Sequence, residues 1–284
     1  MIVFIADFFA DEILGGGELN NQELIGLLRN KGYTVNTKKS RDVGASYITN
    51  CGAKLFIVGN FMGLSHDARE ALKLQNYIIY EHDHKYLRTR NPAQYDNFKA
   101  PPNELVNVDF YLKAKKILCQ TTFHATIVKR NLDLDNIESV WGNLWSEDAL
   151  QMLERLSGRD KEDKCSILNS PIPHKNTNAA VRYCEVTDKE YVLCSESDYH
   201  SFLEKLGKNS TLVFFPQTPE TLSRIVVESR MMGMKVITNK LVGATQESWF
   251  ELKGLDLIEK MRAKREEIPE LVIGLMSWVL KSAF

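Results

Sequence analysis

Short apolar runs alternate with amphipathic stretches along most of the chain, beginning at its first residues. Runs of this kind, bounded by Gly, Asp or Asn, are typical of buried strands, and apolar residues three and four apart indicate helices. The pattern predicts strands at Ile2 to Asp7, Tyr33 to Thr37, Lys54 to Gly59, Tyr77 to Tyr80, Lys116 to Gln120 and Ile137 to Val140. Helices are predicted at Glu18 to Lys31, Leu64 to Gln75, Val106 to Ala114 and Phe123 to Arg130. This alternation predicts a parallel α/β unit of about 145 residues.

A charged run from Glu154 to Lys164 interrupts this pattern, and a second series of strands and helices follows it. Strands are predicted at Ser166 to Asn169, Tyr191 to Cys194, Leu212 to Phe215 and Lys235 to Thr238, with helices at Asn176 to Cys184, Tyr199 to Leu206 and Pro219 to Met232. We therefore expect an α/β protein with two Rossmann-like doubly wound domains facing a cleft, at residues 1–145 and 146–265. Residues 266–284, with the apolar stretch Leu271 to Leu280 and Trp278, are predicted to form a terminal helix.

Composition narrows the class of protein further. The chain has 284 residues and a formal net charge of -1, so no overall field draws it to nucleic acid or to an anionic membrane. The longest apolar stretch falls short of the ~20 residues that a membrane span needs, and the first strand is too short for a signal peptide. The five cysteines are odd in number and widely spaced, which favours reduced thiols. These features predict a cytoplasmic protein without a membrane span.

Two carboxylates flank the start of the helix predicted after Phe215. Thr218 is a candidate N-cap and Pro219 suits the first helical position, so free backbone N–H groups there could bind a phosphate or diphosphate. Glu220 and Glu228 stand on either side of that position, where each could accept hydrogen bonds from sugar hydroxyls. A structural interpretation is also open, because Glu in a first helical turn stabilises the helix dipole and Glu in mid-helix favours helix formation.

Two further polar clusters follow predicted strands of the first domain, at the sheet edge where ligands bind in open α/β sheets. Gly16, Gly17 and Glu18 open the first helix, where glycines allow close approach of a ligand to the backbone. The run Glu81 to Lys85, with His82, Asp83 and His84, follows the fourth strand. This run could bind a metal, a sugar or an acceptor, or form a solvated loop. Arg88 lies in the basic and aromatic stretch Tyr86 to Asn103, which could contact a polymer or simply cover the rim of the cleft.

The spacing Glu220-x7-Glu228, followed by a short helix and the strand at Lys235, resembles the E-x7-E region of family 4 glycosyltransferases of the GT-B fold. The resemblance implies that Glu220 contacts hydroxyls of the donor sugar and Glu228 the nucleotide ribose. Thr221 and Leu222 stand where the family has Gly and an aromatic residue or Pro. In GT-B proteins the terminal helix crosses back to the first domain.

Other positions match the same family. Gly15 to Glu18 resembles its G-G-x-E loop, which implies that Gly16 and Gly17 approach the donor and Glu18 the acceptor. Lys175 matches a Lys that neutralises the leaving diphosphate, but the Arg expected before it is replaced in the Asn169–Ser170 region. By the same resemblance His82 lies near the donor sugar, Asp83 orients His82 or the acceptor, and His84 and Arg88 lie on the acceptor side.

The resemblance implies a retaining, metal-independent glycosyltransferase that moves a hexose or pentose from a nucleotide-sugar to an acceptor hydroxyl. A UDP-sugar is the expected donor, as substrate and without any further cofactor. The acceptor is a glycan, a small molecule, or a hydroxylated base in DNA presented by base flipping, which would fit a viral source. The alternative from another class is a non-catalytic nucleotide-sugar binding module.

Overall fold

The computed structural model describes residues 1–276, which form two compact units, each built on one parallel sheet. One unit comprises Met1–Leu144 together with the described residues from Ala263 onward, and the other comprises Trp145–Arg262. The predictions for residues 277–284, among them Trp278 and the end of the terminal helix, lie outside the described residues.

The first unit contains a six-stranded parallel sheet with strand order β2-β1-β3-β4-β5-β6. Its strands are β1 (Ile2–Ala6), β2 (Val35–Lys39), β3 (Leu55–Val58), β4 (Tyr77–Glu81), β5 (Lys116–Cys119) and β6 (Ile137–Ser139). The helices among the described residues before Leu144 are α1 (Gly16–Asn30), α2 (Ala45–Asn50), α3 (His66–Lys73), α4 (Val108–Lys113) and α5 (Thr122–Leu132). The strand order reverses between β1 and β3, so the carboxyl ends of these strands mark the edge where a doubly wound sheet binds its ligand.

The continuous apolar strands explain how this sheet is covered on both faces. All five residues of β1 are buried. Val3 and Ile5 pack in the core on one face, whereas Ile2 and Phe4 pack on the other, because successive side chains of a strand point to opposite faces. The buried side chains of Ile268 and Val272 also belong to the second of these cores. The last helix therefore contributes apolar residues to the first unit.

The second unit contains a four-stranded parallel sheet with strand order β10-β9-β7-β8. Its strands are β7 (Glu162–Leu168), β8 (Tyr191–Cys194), β9 (Asn209–Phe214) and β10 (Lys235–Thr238). The described helices after Leu144 are α6 (Glu147–Ser157), α7 (Thr177–Val186), α8 (Tyr199–Leu206), α9 (Arg224–Met231) and α10 (Leu255–Gly274). The strand order reverses between β7 and β9, which places the ligand-binding edge of this sheet at the loops after those two strands.

The prediction that a helix begins at Pro219 is wrong, because α9 begins at Arg224. Glu220 instead lies in extended backbone and forms a parallel bridge with Val242. Its N–H donates to the carbonyl of Leu241 at 2.8 Å, and its carbonyl accepts from the N–H of Gly243 at 2.9 Å. Strand-like pairing with the loop after β10 therefore overrides the local capping signal. The charged run predicted as a break belongs to the end of α6 and the start of β7.

Candidate active site

The start of α9 combines an unusual backbone conformation with a buried hydroxyl. Ser223, the residue before the helix, has a φ of 75°, which is uncommon for a residue with a side chain. Its side chain is 8% exposed, and its Oγ has no hydrogen-bond partner among residues 1–276. An orphan buried hydroxyl and the first backbone N–H groups of α9 thus lie together at the positive end of the helix dipole. This is a site that can bind an anion.

Lys175 and Glu220 meet although 45 positions separate them in the chain. Lys175 ends a short 3₁₀ turn after β7, and Glu220 lies in the loop after β9. The Nζ atom of Lys175 donates to Oε1 of Glu220 at 2.7 Å, and the two side chains are 25% and 13% exposed. The structure therefore brings two of the predicted donor-binding residues together at the carboxyl edge of the sheet, where both retain access to solvent.

Glu228 is buried and anchored through one of its carboxylate oxygens. Oε1 accepts hydrogen bonds from Trp145 Nε1 at 2.9 Å and from the Tyr199 hydroxyl at 2.7 Å. Arg224 Nε lies 3.3 Å from the same atom. No described residue donates to Oε2, which remains available to a ligand hydroxyl. Burial and the charge of Glu228 raise the pKa of Tyr199, which keeps this hydroxyl protonated.

Three of these partners were not predicted from the sequence. Trp145 precedes α6, Tyr199 begins α8, and Arg224 begins α9, so three separate elements converge on Glu228. The only signal in the sequence was the i, i+4 spacing of Arg224 and Glu228, which places both on one face of a helix. The aromatic partners gave no local signal, because their contacts depend on packing between elements.

Thr221 and Leu222, the two residues after Glu220, differ in burial. Leu222 is 1% exposed and packs in the core with Val226 and Phe214. Its side chain therefore cannot contact a ligand, and only its backbone remains available. Thr221 is partly exposed and stays at the surface of the same loop. The Leu222 side chain thus anchors this loop to the core.

Replacing Ser223 by Gly should raise the free energy of unfolding by about 1 kcal/mol, since glycine adopts a positive φ without strain and carries no orphan hydroxyl. Urea unfolding monitored by far-UV circular dichroism measures the change. Ser210→Gly, within β9, is the matched control and should destabilise the chain. A loss of stability in Ser223→Gly comparable to that of the control would contradict strain at this position.

In the first unit, the glycine turn leads into α1 beside His82. A side-chain carbon on Gly15 would collide with Oε2 of Glu18, whose carboxylate folds back over the start of the helix. A side-chain carbon on Gly17 would lie 3.6 Å from His82, so Gly17 and His82 are in direct proximity. Burial raises the pKa of Glu18. Gly16 is the first residue of α1 and is exposed. The turn after β1 and the loop after β4 therefore meet at one edge of the sheet.

His82 is held by two amides. Its Nε2 lies 2.6 Å from Asn21 Oδ1, and its Nδ1 lies 2.9 Å from Gln120 Nε2. These partners require a proton on Nε2 and a lone pair on Nδ1, which defines a neutral tautomer. Burial, aided by the charge of Lys85, lowers the pKa of His82 to about 3. At neutral pH the imidazole is therefore a hydrogen-bonding group and a weak proton acceptor.

Asp83 does not hold the His82 ring, because its carboxylate has other partners. Oδ2 accepts from Arg90 Nε at 2.5 Å, and Oδ1 accepts from the N–H of His84 at 2.7 Å. Burial alone would raise the pKa of Asp83, but the charges of Lys85 and Arg90 outweigh it and lower the pKa. Asp83 is consequently a carboxylate that fixes the loop after β4, while Asn21 and Gln120 set the orientation of His82.

The side chains of His84 and Arg88 differ in solvent exposure. His84 is 2% exposed, and its Nδ1 lies 2.9 Å from the Tyr86 hydroxyl. Its side chain is therefore withdrawn from any acceptor. Arg88 is exposed and donates to the carbonyl of Asn103 at 3.3 Å. Residues 1–276 contain no group of three or more His, Cys, Asp or Glu side chains that could hold a metal ion.

The fold of the chain is similar to that of several solved glycosyltransferases. HepE of Anabaena in complex with UDP-glucose has a TM-score of 0.54 and 12% identity, over 97% of this chain and 91% of that one. WaaG, a glycosyltransferase involved in lipopolysaccharide biosynthesis, has a TM-score of 0.50 and 10% identity, over 98% of this chain and all of that one.

An α-glucosyltransferase in complex with UDP and a 13-mer DNA containing an HMU base has a TM-score of 0.50 and 10% identity, over 97% of this chain and 91% of that one. No protein-family model and no curated protein sequence matches the chain. At these identities the similarity establishes the fold. The chain has the GT-B glycosyltransferase fold with two Rossmann-like units. No helix among residues 1–276 is long and apolar enough to cross a membrane.

Proposed function

We propose that this protein is a glycosyltransferase that transfers a hexose or pentose from a UDP-sugar to an acceptor hydroxyl. The observation that carries the proposal is the arrangement around α9, where Glu220 and Glu228 stand on either side of the helix start and Lys175 lies 2.7 Å from Glu220. A nucleotide-sugar has three parts in the same order: a sugar, a diphosphate and a ribose. The second unit offers a carboxylate, an anion site with a nearby cation, and a second carboxylate.

Each of these groups suits one part of the donor. Glu228 would accept a ribose hydroxyl through Oε2, since Oε1 is already held by Trp145 and Tyr199. Glu220 would accept from hydroxyls of the transferred sugar. Lys175 and the first N–H groups of α9 would bind the diphosphate. Thr221 and Leu222, in the loop before α9, would contact the donor through their backbone. Lys175 would have to leave Glu220 to do so, which would free the carboxylate for the sugar.

The reaction would break the bond between the anomeric carbon and the diphosphate oxygen and form one to the acceptor oxygen. UDP leaves with the electron pair of the broken bond, and the acceptor's proton passes to a phosphate oxygen of the leaving group. Positive charge from Lys175 and α9 stabilises the developing diphosphate, so no metal or other cofactor is required. Retention of anomeric configuration is part of the proposal and follows from the family resemblance.

Residues of the first unit would bind the acceptor side. Neutral His82 would exchange one of its amide partners, Asn21 or Gln120, for a hydrogen bond to the acceptor, and Gly16, Gly17 and Glu18 would contribute the adjacent turn. Asp83 would act by fixing the loop that carries His82. Arg88, which is exposed on the following loop, remains a candidate for acceptor contact. The five free cysteines are compatible with a reducing, cytoplasmic location.

The acceptor would be a glycan, a small molecule or a hydroxylated DNA base. The α-glucosyltransferase that was solved with HMU-containing DNA is the observation that favours testing DNA. A net charge of -1 favours a glycan or a small molecule as acceptor, because DNA binding depends on neutralising phosphates. A gel shift at low salt with DNA containing hydroxymethylated bases would distinguish these acceptors. Absence of any complex would exclude DNA as the acceptor.

Binding of UDP should raise the melting temperature of the chain, whereas Glu228→Gln should weaken UDP binding about tenfold through loss of a charged acceptor for ribose. Thermal shift with UDP, GDP and ADP identifies the nucleotide, and calorimetry measures its affinity. Glu190→Gln, which changes an exposed carboxylate in the same unit, is the control and should bind UDP like the wild type.

Hydrolysis of the sugar nucleotide separates an enzyme from a binding module. A slow release of UDP from UDP-sugar without acceptor, lost in Glu220→Gln, is expected of the enzyme. UDP binding without turnover with any acceptor would instead identify a non-catalytic module. Absence of binding to all three nucleotides and their sugars would contradict the proposed function altogether.

A further inference from the structure

Arg224 lies on the helix face that joins the two ends of the proposed donor site. It is the first residue of α9 and stands one turn before Glu228 on the same face. A donor whose ribose lies at Glu228 and whose diphosphate lies at the helix start would pass along this face. If the proposed function holds, the donor must therefore lie beside the Arg224 guanidinium, whose side chain is 11% exposed.

We propose that Arg224 is a diphosphate-binding residue, which exchanges its ion pair with Glu228 for the phosphates of the bound donor. The inference rests on the proposed function, because it assigns a partner within the same site. It also accounts for a missing charge. The strand-to-helix turn at Asn169–Ser170 lacks the Arg that the family resemblance implies there. Arg224 would supply that charge from another element.

The charge balance at the site supports this assignment. UDP carries two to three negative charges near neutral pH, whereas Lys175 is a single cation and pairs with Glu220. A second cation at the start of α9 would complete the neutralisation. Guanidinium is suited to this role, because its planar N–H groups bind two phosphate oxygens at once. The orphan Oγ of Ser223, next to Arg224, is a further donor for the same anion.

Packing around Arg224 would keep the free-energy cost of breaking its ion pair with Glu228 small. The guanidinium stacks on the Trp145 ring, with its central carbon 4.5 Å from the ring centroid. Stacking does not itself use the N–H donors of the group, of which Nη2 also lies 3.4 Å from the Tyr199 hydroxyl. When Arg224 turned to the phosphates, Trp145 Nε1 and the Tyr199 hydroxyl would still donate to Glu228 Oε1. The buried carboxylate would thus keep two hydrogen bonds, and the bound ribose would add a third.

Calorimetric affinities for UDP, UMP and uridine test the inference in the wild type, Arg224→Met and Arg155→Met. Arg224→Met should bind UDP about 10 to 100 times more weakly and uridine within about threefold of the wild type, because the lost contact involves phosphate. UMP should show an intermediate loss. Arg155→Met removes a half-exposed Arg of α6 and should change none of the three affinities. Arg224→Lys should recover part of the UDP affinity.

Two results would distinguish a failure of the Arg224 inference from a failure of the proposed function. Equal losses for UDP and uridine in Arg224→Met would show that Arg224 only supports Glu228 and would overturn the inference, while the proposed function stands. Failure of the wild type to bind any nucleotide would overturn the proposed function itself. Urea unfolding of each variant identifies a folding defect, and Arg224→Lys, which retains charge, then provides the comparison of UDP with uridine.

Discussion

Replacing Lys85 by Met should lower the free energy of unfolding by about 3–5 kcal/mol, because it leaves a buried carboxylate without its counter-ion. Lys85 and Glu81 are 1% and 0% exposed and form an ion pair directly after β4. Glu81 also accepts from the Tyr111 hydroxyl and from the N–H of Asp83. This network lies under the loop that carries His82, so its loss should also loosen that loop.

Urea unfolding measures the loss, and hydrogen exchange localises it to β4 and the following loop. The double variant Glu81→Gln, Lys85→Met is the matched control, since it removes both charges and retains an acceptor for Tyr111. It should be more stable than Lys85→Met alone. Lys73→Met removes a lysine that pairs with exposed carboxylates and should lower the free energy of unfolding much less than Lys85→Met does. A similar cost for Lys73→Met and Lys85→Met would contradict the prediction.

Lowering the pH from 7 to 5.5 should destabilise the first unit by about 2–4 kcal/mol through its histidines of lowered pKa. Burial lowers the pKa of His84 to about 4 and that of His124 well below its usual value. In the unfolded chain both titrate near 6.5, so the unfolded state binds more protons over this range. The stability that these neutral histidines contribute is therefore fully present above the pKa of histidine in the unfolded chain. It is lost as the pH falls through that value. His82, whose pKa burial lowers to about 3, adds to the same trend.

Urea unfolding at pH 7, 6 and 5.5 measures this dependence. His84→Gln should reduce the slope of stability against pH, because one of the two fully buried groups no longer titrates. His66→Gln removes an imidazole whose side chain is 77% exposed and should leave the slope unchanged. Equal slopes in the wild type and His84→Gln would show that other groups cause the acid sensitivity.

The fold was largely predictable because buried parallel strands are continuous apolar runs. Ile2–Ala6 and residues 77–80 are examples, since packing on both faces favours an apolar residue at every position. The two-unit α/β architecture followed from the order of such runs. Helix boundaries were less predictable. Thr218 and Pro219 carry a valid local signal for a helix start, but pairing between Glu220 and Val242 outweighs it.

The sequence by itself determined the residue types and their spacing: the apolar runs, the E-x7-E pair and the glycine turn after β1. Spacing sufficed there because each pattern lies within a short stretch of the chain. Only the tertiary structure decided that Lys175 meets Glu220, that Trp145 and Tyr199 hold Glu228, and that Asn21 and Gln120 hold His82. These contacts join elements distant in the chain, and their free energies depend on burial and packing that no local pattern encodes.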